Sequence, residues 1–414
     1  QKDGNSGGSE RGPSHAITNI LTLIVKYGHN PTVPHHVVCT RHNGSVQTTM
    51  LSSEQVLLAD GQFHAARIEV AEDRILSISP LGPNDVVTTE LMLAPGFVDL
   101  QVNGIDDVDV WSTALAEDVG AWDRINNLLL DQGVTSWCPT LVTAPLDWYP
   151  KAIEFLRGQS HNVMRPHVIG VHLEGPFLGN AIGAHREQYV CVPDGAWIQE
   201  NLDGVALMTL GAEVSGATEL CNLLRSRGCR ISIGHSLPTR EEFENCVSAG
   251  ATLVTHLFNA MSGVHHREPG LATWALTNDN VFASLIADGI HVSADVIELS
   301  FSAKPHKMVL VTDAVAWRAG SAGKIRISLH DGAPRLENGT LAGSAVTMPE
   351  AIKVCVEQAH VALAQALQAA SSNPANVMGL SDRGVLQTGY MADIVGLTND
   401  LSVGAVWVSG QRAR

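Results

Sequence analysis

The sequence has no Cys-x-x-Cys pair, no apolar run long enough to cross a bilayer and no excess of positive charge, and each absence removes a class of function. Its seven cysteines (39, 138, 191, 221, 229, 246 and 355) are scattered and odd in number, which argues against a complete disulfide framework and for a reducing, cytoplasmic setting. The apolar stretch "AITNILTLIV" at 16–25 is too short for a membrane span and lacks the flanks of a signal peptide, so a soluble chain with no membrane partner is expected. Acidic residues outnumber basic ones by 42 to 26, for a net charge of −16, and a polyanion such as nucleic acid would be repelled. A small anionic substrate remains compatible, provided that Arg and His build a local cationic pocket against that field. Also missing is a Gly-rich phosphate turn after the first strand of the central region, which an open doubly wound sheet would usually carry.

What is present fits a large core. With 414 residues, 45% of them hydrophobic, the chain is long enough for one large domain and a smaller one. Residues 1–45 form an N-terminal extension: "QKDGNSGGSERGPSH" at 1–15 has the composition of a flexible tail, and 16–45 show no clear period. Short alternating runs such as "ARIEV" and "RILSISP" fall within 46–94, and the same texture returns within 385–414 in "GAVWVSG". Both ends are therefore expected to build one small β-sandwich domain around an inserted centre. In that centre, 95–384, eight apolar runs recur every 22 to 36 residues, among them "FVDLQVN", "VIGVHLE", "RISIGH" and "MVLVTD". Helix-like segments with a three-to-four apolar spacing and a terminal Gly separate them. This predicts an α/β fold, a (β/α)8 TIM-like barrel, with its chemistry at the C-terminal ends of the strands.

Several runs end in chemically capable side chains: Glu174, His235, His256, Asp288 with His291 just beyond, and Asp313. A closed barrel would gather them at one mouth. A carboxylate with two neutral imidazoles is a common catalytic zinc set that leaves a coordination position open for water. An ion so held lowers the pKa of its water toward neutrality, and Asp313 is placed to take the proton and pass it to a leaving group. The stretch "LAPGFVDLQVNG" at 93–104 bears on how many ions bind, because many barrel metallohydrolases carry His-x-His where Gln101 and Asn103 stand here. Carboxamides are poor ligands beside imidazole, so one ion rather than two is expected. Gln101 either hydrogen-bonds the water or is a strand-end amide satisfied by backbone. His265 and His266, being adjacent, read as loop packing, and Met348 as a buried space-filler.

The ordered motifs "APGFVDLQVNG", "GVHLEGPF", "IGHS", "THLFNAM", "REPG", "IADGIH", "LVTDA" and "LAGSAVTM" closely resemble those of the N-acetylglucosamine-6-phosphate deacetylases of the amidohydrolase superfamily, over roughly residues 54 to 414. The resemblance implies hydrolysis of the acetamide of N-acetylglucosamine 6-phosphate to glucosamine 6-phosphate and acetate. It implies Glu174, His235 and His256 as ligands of one divalent metal, zinc first with iron or cobalt as alternatives, and Asp313 as general base and then acid. Gln101 stands where one-metal members carry Gln. For the substrate, it implies Asn259, Ala260 and His291 near the sugar phosphate, His185 near the acetyl group, and Arg267 reaching the phosphate from the second subunit of a homodimer. The competing reading for Arg267 is a surface ion pair with Glu268. Rival functions are deacetylation of another N-acetyl amino sugar, such as N-acetylgalactosamine 6-phosphate, or a non-catalytic sugar-phosphate-binding barrel. Retention of all four centre residues favours the enzyme.

Overall fold

The computed structural model describes residues 48–159, 164–322 and 325–414, so the expectations for residues 1–45 lie outside the described part. Thr48–Leu57, Phe63–Ala71, Arg74–Pro80 and Met92–Pro95 join Ile394–Leu397, Val403–Val408 and Gln411–Arg412 in one seven-stranded mixed sheet. The two ends of the chain meet where Met92–Pro95 runs antiparallel to Ile394–Leu397. Period-two patterning explains the strands: in Phe63–Ala71, Ala66, Ile68 and Val70 are buried while the residues between them are not. Ile68, Val70, Ile75, Leu93, Ile394 and Trp407 form a hydrophobic cluster of their own.

The eight expected central strands are Phe97–Val102, Val134–Val142, Val171–Glu174, Val205–Leu210, Arg230–Ile233, Leu253–Val254, Phe282–Leu285 and Met308–Leu310, parallel and in sequential order. Asp313 N–H donates to Gln101 O at 2.9 Å, and a parallel bridge joins Val102 to Ala314, so the end of the last strand reaches the first and the sheet comes close to a closed barrel. The third run departs from the expectation of one continuous strand. His167–Val168 pairs with the second strand, and the wall strand proper begins at Val171. Gly170 between them has φ +146, and a Cβ there would lie 2.5 Å from that of Ala206. Only glycine allows that break in the run.

The helices follow from local chemistry. In Val119–Asp131 the N-cap Asp118 accepts from Ala121 N–H, Trp122, Ile125 and Leu129 share the buried face, and Gly133 at φ +77 follows. Trp122 stacks on Trp137 of the second strand at 5.2 Å between ring centroids. Arg240–Ala249 opens on a capping box of Thr239 and Glu242 and ends at Gly250, whose φ is +125. Burying each large apolar side chain on these faces contributes roughly 1.5–3 kcal/mol.

Candidate active site

Four barrel strands or the turns just beyond them carry the central groups. Glu174 is the last residue of the third strand, while His235, His256 and Asp313 lie two or three residues past the fifth, sixth and eighth. Glu174 Oε1 stands 3.2 Å from His235 Nε2 and 3.1 Å from His256 Nε2, and the two Nε2 atoms are 3.0 Å apart. Ala181 O can only accept, so the 3.2 Å contact makes His235 Nδ1 the protonated nitrogen and turns the Nε2 lone pair to the centre. His256 is held by its own backbone, with its N–H donating to Ser284 Oγ at 2.7 Å. His235, His256 and Asp313 all have positive φ, at +50, +28 and +49. Non-glycine residues are strained in that region, and such strain clusters where geometry serves a site.

These donors fit a divalent cation. Three ligand-capable atoms converge at 3.0–3.2 Å, a grouping that positive charge among them favours. The spacing approaches the roughly 3.3 Å edge expected of a tetrahedron with metal bonds of about 2.0–2.1 Å. Burial pushes the Glu174 carboxyl up, but the adjoining imidazoles of His235 and His256 outweigh it and hold the group well below the usual carboxylate range. His256 is disfavoured as a cation by burial, yet Glu174 overrides this and raises its pKa. His185 is adjacent: its Nε2 lies 4.0 Å from Glu174 Oε2, and its ring meets that of His235 edge-on at 4.3 Å. The ligand-capable atoms of Glu174, His185 and His235 fall within 4.8 Å of one another, but His256 makes the tighter triangle with Glu174 and His235. Burial and then His235 drive His185 down to about 3, leaving it neutral.

Gln101 and Asn103 do something that neither sequence reading of Gln101 anticipated. Gln101 Nε2 donates to Glu174 Oε1 at 2.7 Å and to Asp313 Oδ1 at 3.0 Å, and Asn103 Nδ2 donates to Asp313 Oδ1 at 2.6 Å. Two carboxylates thus face one bridging amide. Irregular register between Asp99 and Val102 re-aims the first strand as it reaches the mouth. Asp313 is buried, and that burial, followed by the nearby Glu174 charge, pushes its carboxyl up to about 7.

The centre forms the floor of a cavity of about 430 Å³. Asn259, Ala260, His185 and His291 line it. His291 Nδ1 is 2.6 Å from Asp288 Oδ2, and Asp288 Oδ1 accepts the backbone N–H groups of Ile290 and His291. Asp288 is therefore committed to orienting His291. Arg267 is exposed and does not line the cavity of its own chain. His265 and His266 are likewise exposed, with His265 Nδ1 accepting from Glu268 N–H, which agrees with loop packing. Met348 is fully buried in the main core.

Three residues near the site have places that the sequence reading does not give them. Asn103, a missing ligand by sequence, lies just past the first strand and turns its amide to the same Asp313 oxygen as Gln101. His172, two before Glu174, lies beneath the centre between Thr140 Oγ1 at 3.3 Å and Thr209 Oγ1 at 2.9 Å, and burial drives it down to about 4. Arg335 lines the cavity from a hairpin, Ser328–His330 with Ala333–Arg335, whose short strands show no burial alternation.

A sequence model of the Amidohydrolase family matches residues 92–413. The chain is 37% identical to an N-acetylglucosamine-6-phosphate deacetylase of Bos taurus over 341 residues, 77% of this chain and 83% of that protein. It is 31% identical to an N-acetylgalactosamine-6-phosphate deacetylase of Escherichia coli O157:H7, over 88% of this chain and 99% of that one. Among solved structures it resembles a mutant N-acetyl-D-glucosamine-6-phosphate deacetylase of Mycobacterium smegmatis in complex with N-acetyl-D-glucosamine-6-phosphate. That match has a TM-score of 0.81 and 28% identity, and covers 88% of this chain and 99% of the other.

Proposed function

Since the chain belongs to the amidohydrolase family, we propose that it hydrolyses the acetamide of N-acetylglucosamine 6-phosphate, releasing acetate and glucosamine 6-phosphate. The observation that carries this reading is the meeting of Glu174 Oε1, His235 Nε2 and His256 Nε2 within 3.2 Å of one another, with Asp313 tied to the same Glu174 oxygen through Gln101. Those three residues would hold one divalent ion, zinc in our assignment, which supplies Lewis acidity for the attacking water and the amide carbonyl. Asp313 accepts the proton of the water and delivers it to the amide nitrogen, which must leave as an amine. Gln101 and Asn103 fix the Asp313 oxygen that they contact, so the opposite oxygen is available for the proton. His185, neutral and beside Glu174, donates to the acetyl oxygen. Asn259, Ala260 and His291 flank the sugar phosphate, and Arg267 reaches it from the second subunit of a homodimer. Cytoplasmic turnover of amino sugars is the setting that we assign.

The relative that acts on the galactose epimer at 31% identity supports one rival reading, in which the two substrates are exchanged. Acetate release from both sugar phosphates, with and without added zinc, tests the assignment. Metal-dependent release that is faster from the glucose epimer supports it. Faster release from the galactose epimer would transfer the assignment, and no release from either would remove it.

A further inference from the structure

We propose that Arg335 is a phosphate-recognition residue supplied from the same chain as the metal-capable centre, and that it sets the preference for phosphorylated over neutral amino sugars. This rests on the deacetylase reading above. The cavity already holds the carboxyl groups of Glu174 and Asp313, and His291 is already engaged through its Nδ1 by Asp288. A phosphate dianion entering such a space needs a cation at its own end. Of the Lys and Arg side chains among the described residues, Arg335 alone lines that cavity. Arg267 is outside the cavity of its own chain and, in the reading above, reaches the phosphate from the second subunit, so Arg335 is the cation that the same chain supplies.

The hairpin that carries Arg335 is held over the barrel mouth. Val315, Ile327 and Ala342 form a buried cluster with Ala184, Ile325 and Leu336 packed against it, which seats the hairpin on the cavity wall. Its turn lies against the loop of His291: a Cβ on Gly332 would be 3.2 Å from Ile290 Cδ1. The hairpin thus comes to the part of the cavity where His291 stands. Within it, Arg335 Nη1 donates to Gly339 O at 2.9 Å, a single bond that aims the guanidinium. Among the described residues no carboxylate pairs with Arg335. Four of its five N–H donors are left for a ligand, and a planar fork of donors matches the oxygens of a phosphomonoester.

The test compares wild type with Arg335→Gln and Arg335→Lys on N-acetylglucosamine 6-phosphate and on N-acetylglucosamine, alongside calorimetric titration with glucose 6-phosphate, which carries the phosphate but no amide. In R335Q we expect KM for the phosphorylated substrate to rise roughly 10- to 100-fold, the loss expected for a charge-assisted hydrogen bond. The value of kcat should stay within about threefold, kcat/KM on the neutral sugar should be unchanged, and R335K should fall between. A KM within about twofold of wild type, or equal losses on both sugars, overturns the proposal. If wild type releases no acetate from either sugar, the deacetylase reading fails separately. The titration then decides for Arg335: weaker glucose 6-phosphate binding in R335Q supports it, and equal binding overturns it.

Discussion

At the scale of single residues, the site is a problem in charge placement. Glu174 and Asp313 are both buried, and Gln101 keeps them compatible by donating one N–H to each. Asp313→Asn should keep bound metal and glucose 6-phosphate affinity while kcat falls roughly 10²- to 10⁴-fold, because a carboxamide cannot take the proton. Metal analysis and steady-state kinetics on one preparation check both halves, and near-normal turnover would remove Asp313 from proton transfer. Asp99 offers a test independent of catalysis. Burial pushes it up to about 6 from an ordinary 3.8, although Thr312 and the Gln101 N–H stabilise its charge. A raised carboxyl binds a proton more tightly in the folded state, so its contribution is most favourable below pH ~4 and is lost as pH rises through ~6. The Tm of Asp99→Asn should therefore improve relative to wild type between pH 4 and 6 and level off above. A gap that does not change with pH would contradict the assignment.

At the scale of elements, what could be read in advance depended on whether local pattern or tertiary packing made the decision. The eight central strands were legible because each is a buried apolar run between amphipathic helices, and caps such as Thr239 with Glu242 mark where helices begin. Glu174, His235, His256 and Asp313 were legible as candidates because each directly follows such a run. The split at Gly170 was not, since a break inside an apolar run leaves the composition unchanged. Nor was the irregular register ahead of Gln101, because register is a property of two paired strands and not of one run. The hairpin bearing Arg335 has strands of only three residues, too short for a period to appear. Inside the barrel, the polar chain Thr140, His172, Thr209, Thr255 and Ser232 lies below the centre. His172→Leu leaves the hydroxyls of Thr140 and Thr209 without their shared partner and should lower unfolding free energy by about 1–3 kcal/mol in urea. An unchanged midpoint and slope would show that this chain of bonds has no net value.

At the scale of the whole molecule, closure of the barrel makes the site. The bond from Asp313 N–H to Gln101 O joins the last strand end to the first, and the same two residues face each other through their side chains. The chain's net charge of −16 makes a site for an anionic sugar depend on local positive charge, which gives Arg335 and a bound metal their weight there. Metal binding to the folded state alone adds stability by mass action, about 2.7 kcal/mol at a hundredfold excess over Kd. Chelation should thus lower Tm by several degrees, and His256→Ala should abolish that metal-dependent shift. The most direct measurement is an anomalous difference map from zinc-loaded crystals, collected on both sides of the metal's absorption edge. One peak per chain is expected, about 2.0–2.2 Å from a Glu174 oxygen and from Nε2 of His235 and of His256. A peak bound elsewhere, or a second one held by Gln101 and Asn103, would contradict it.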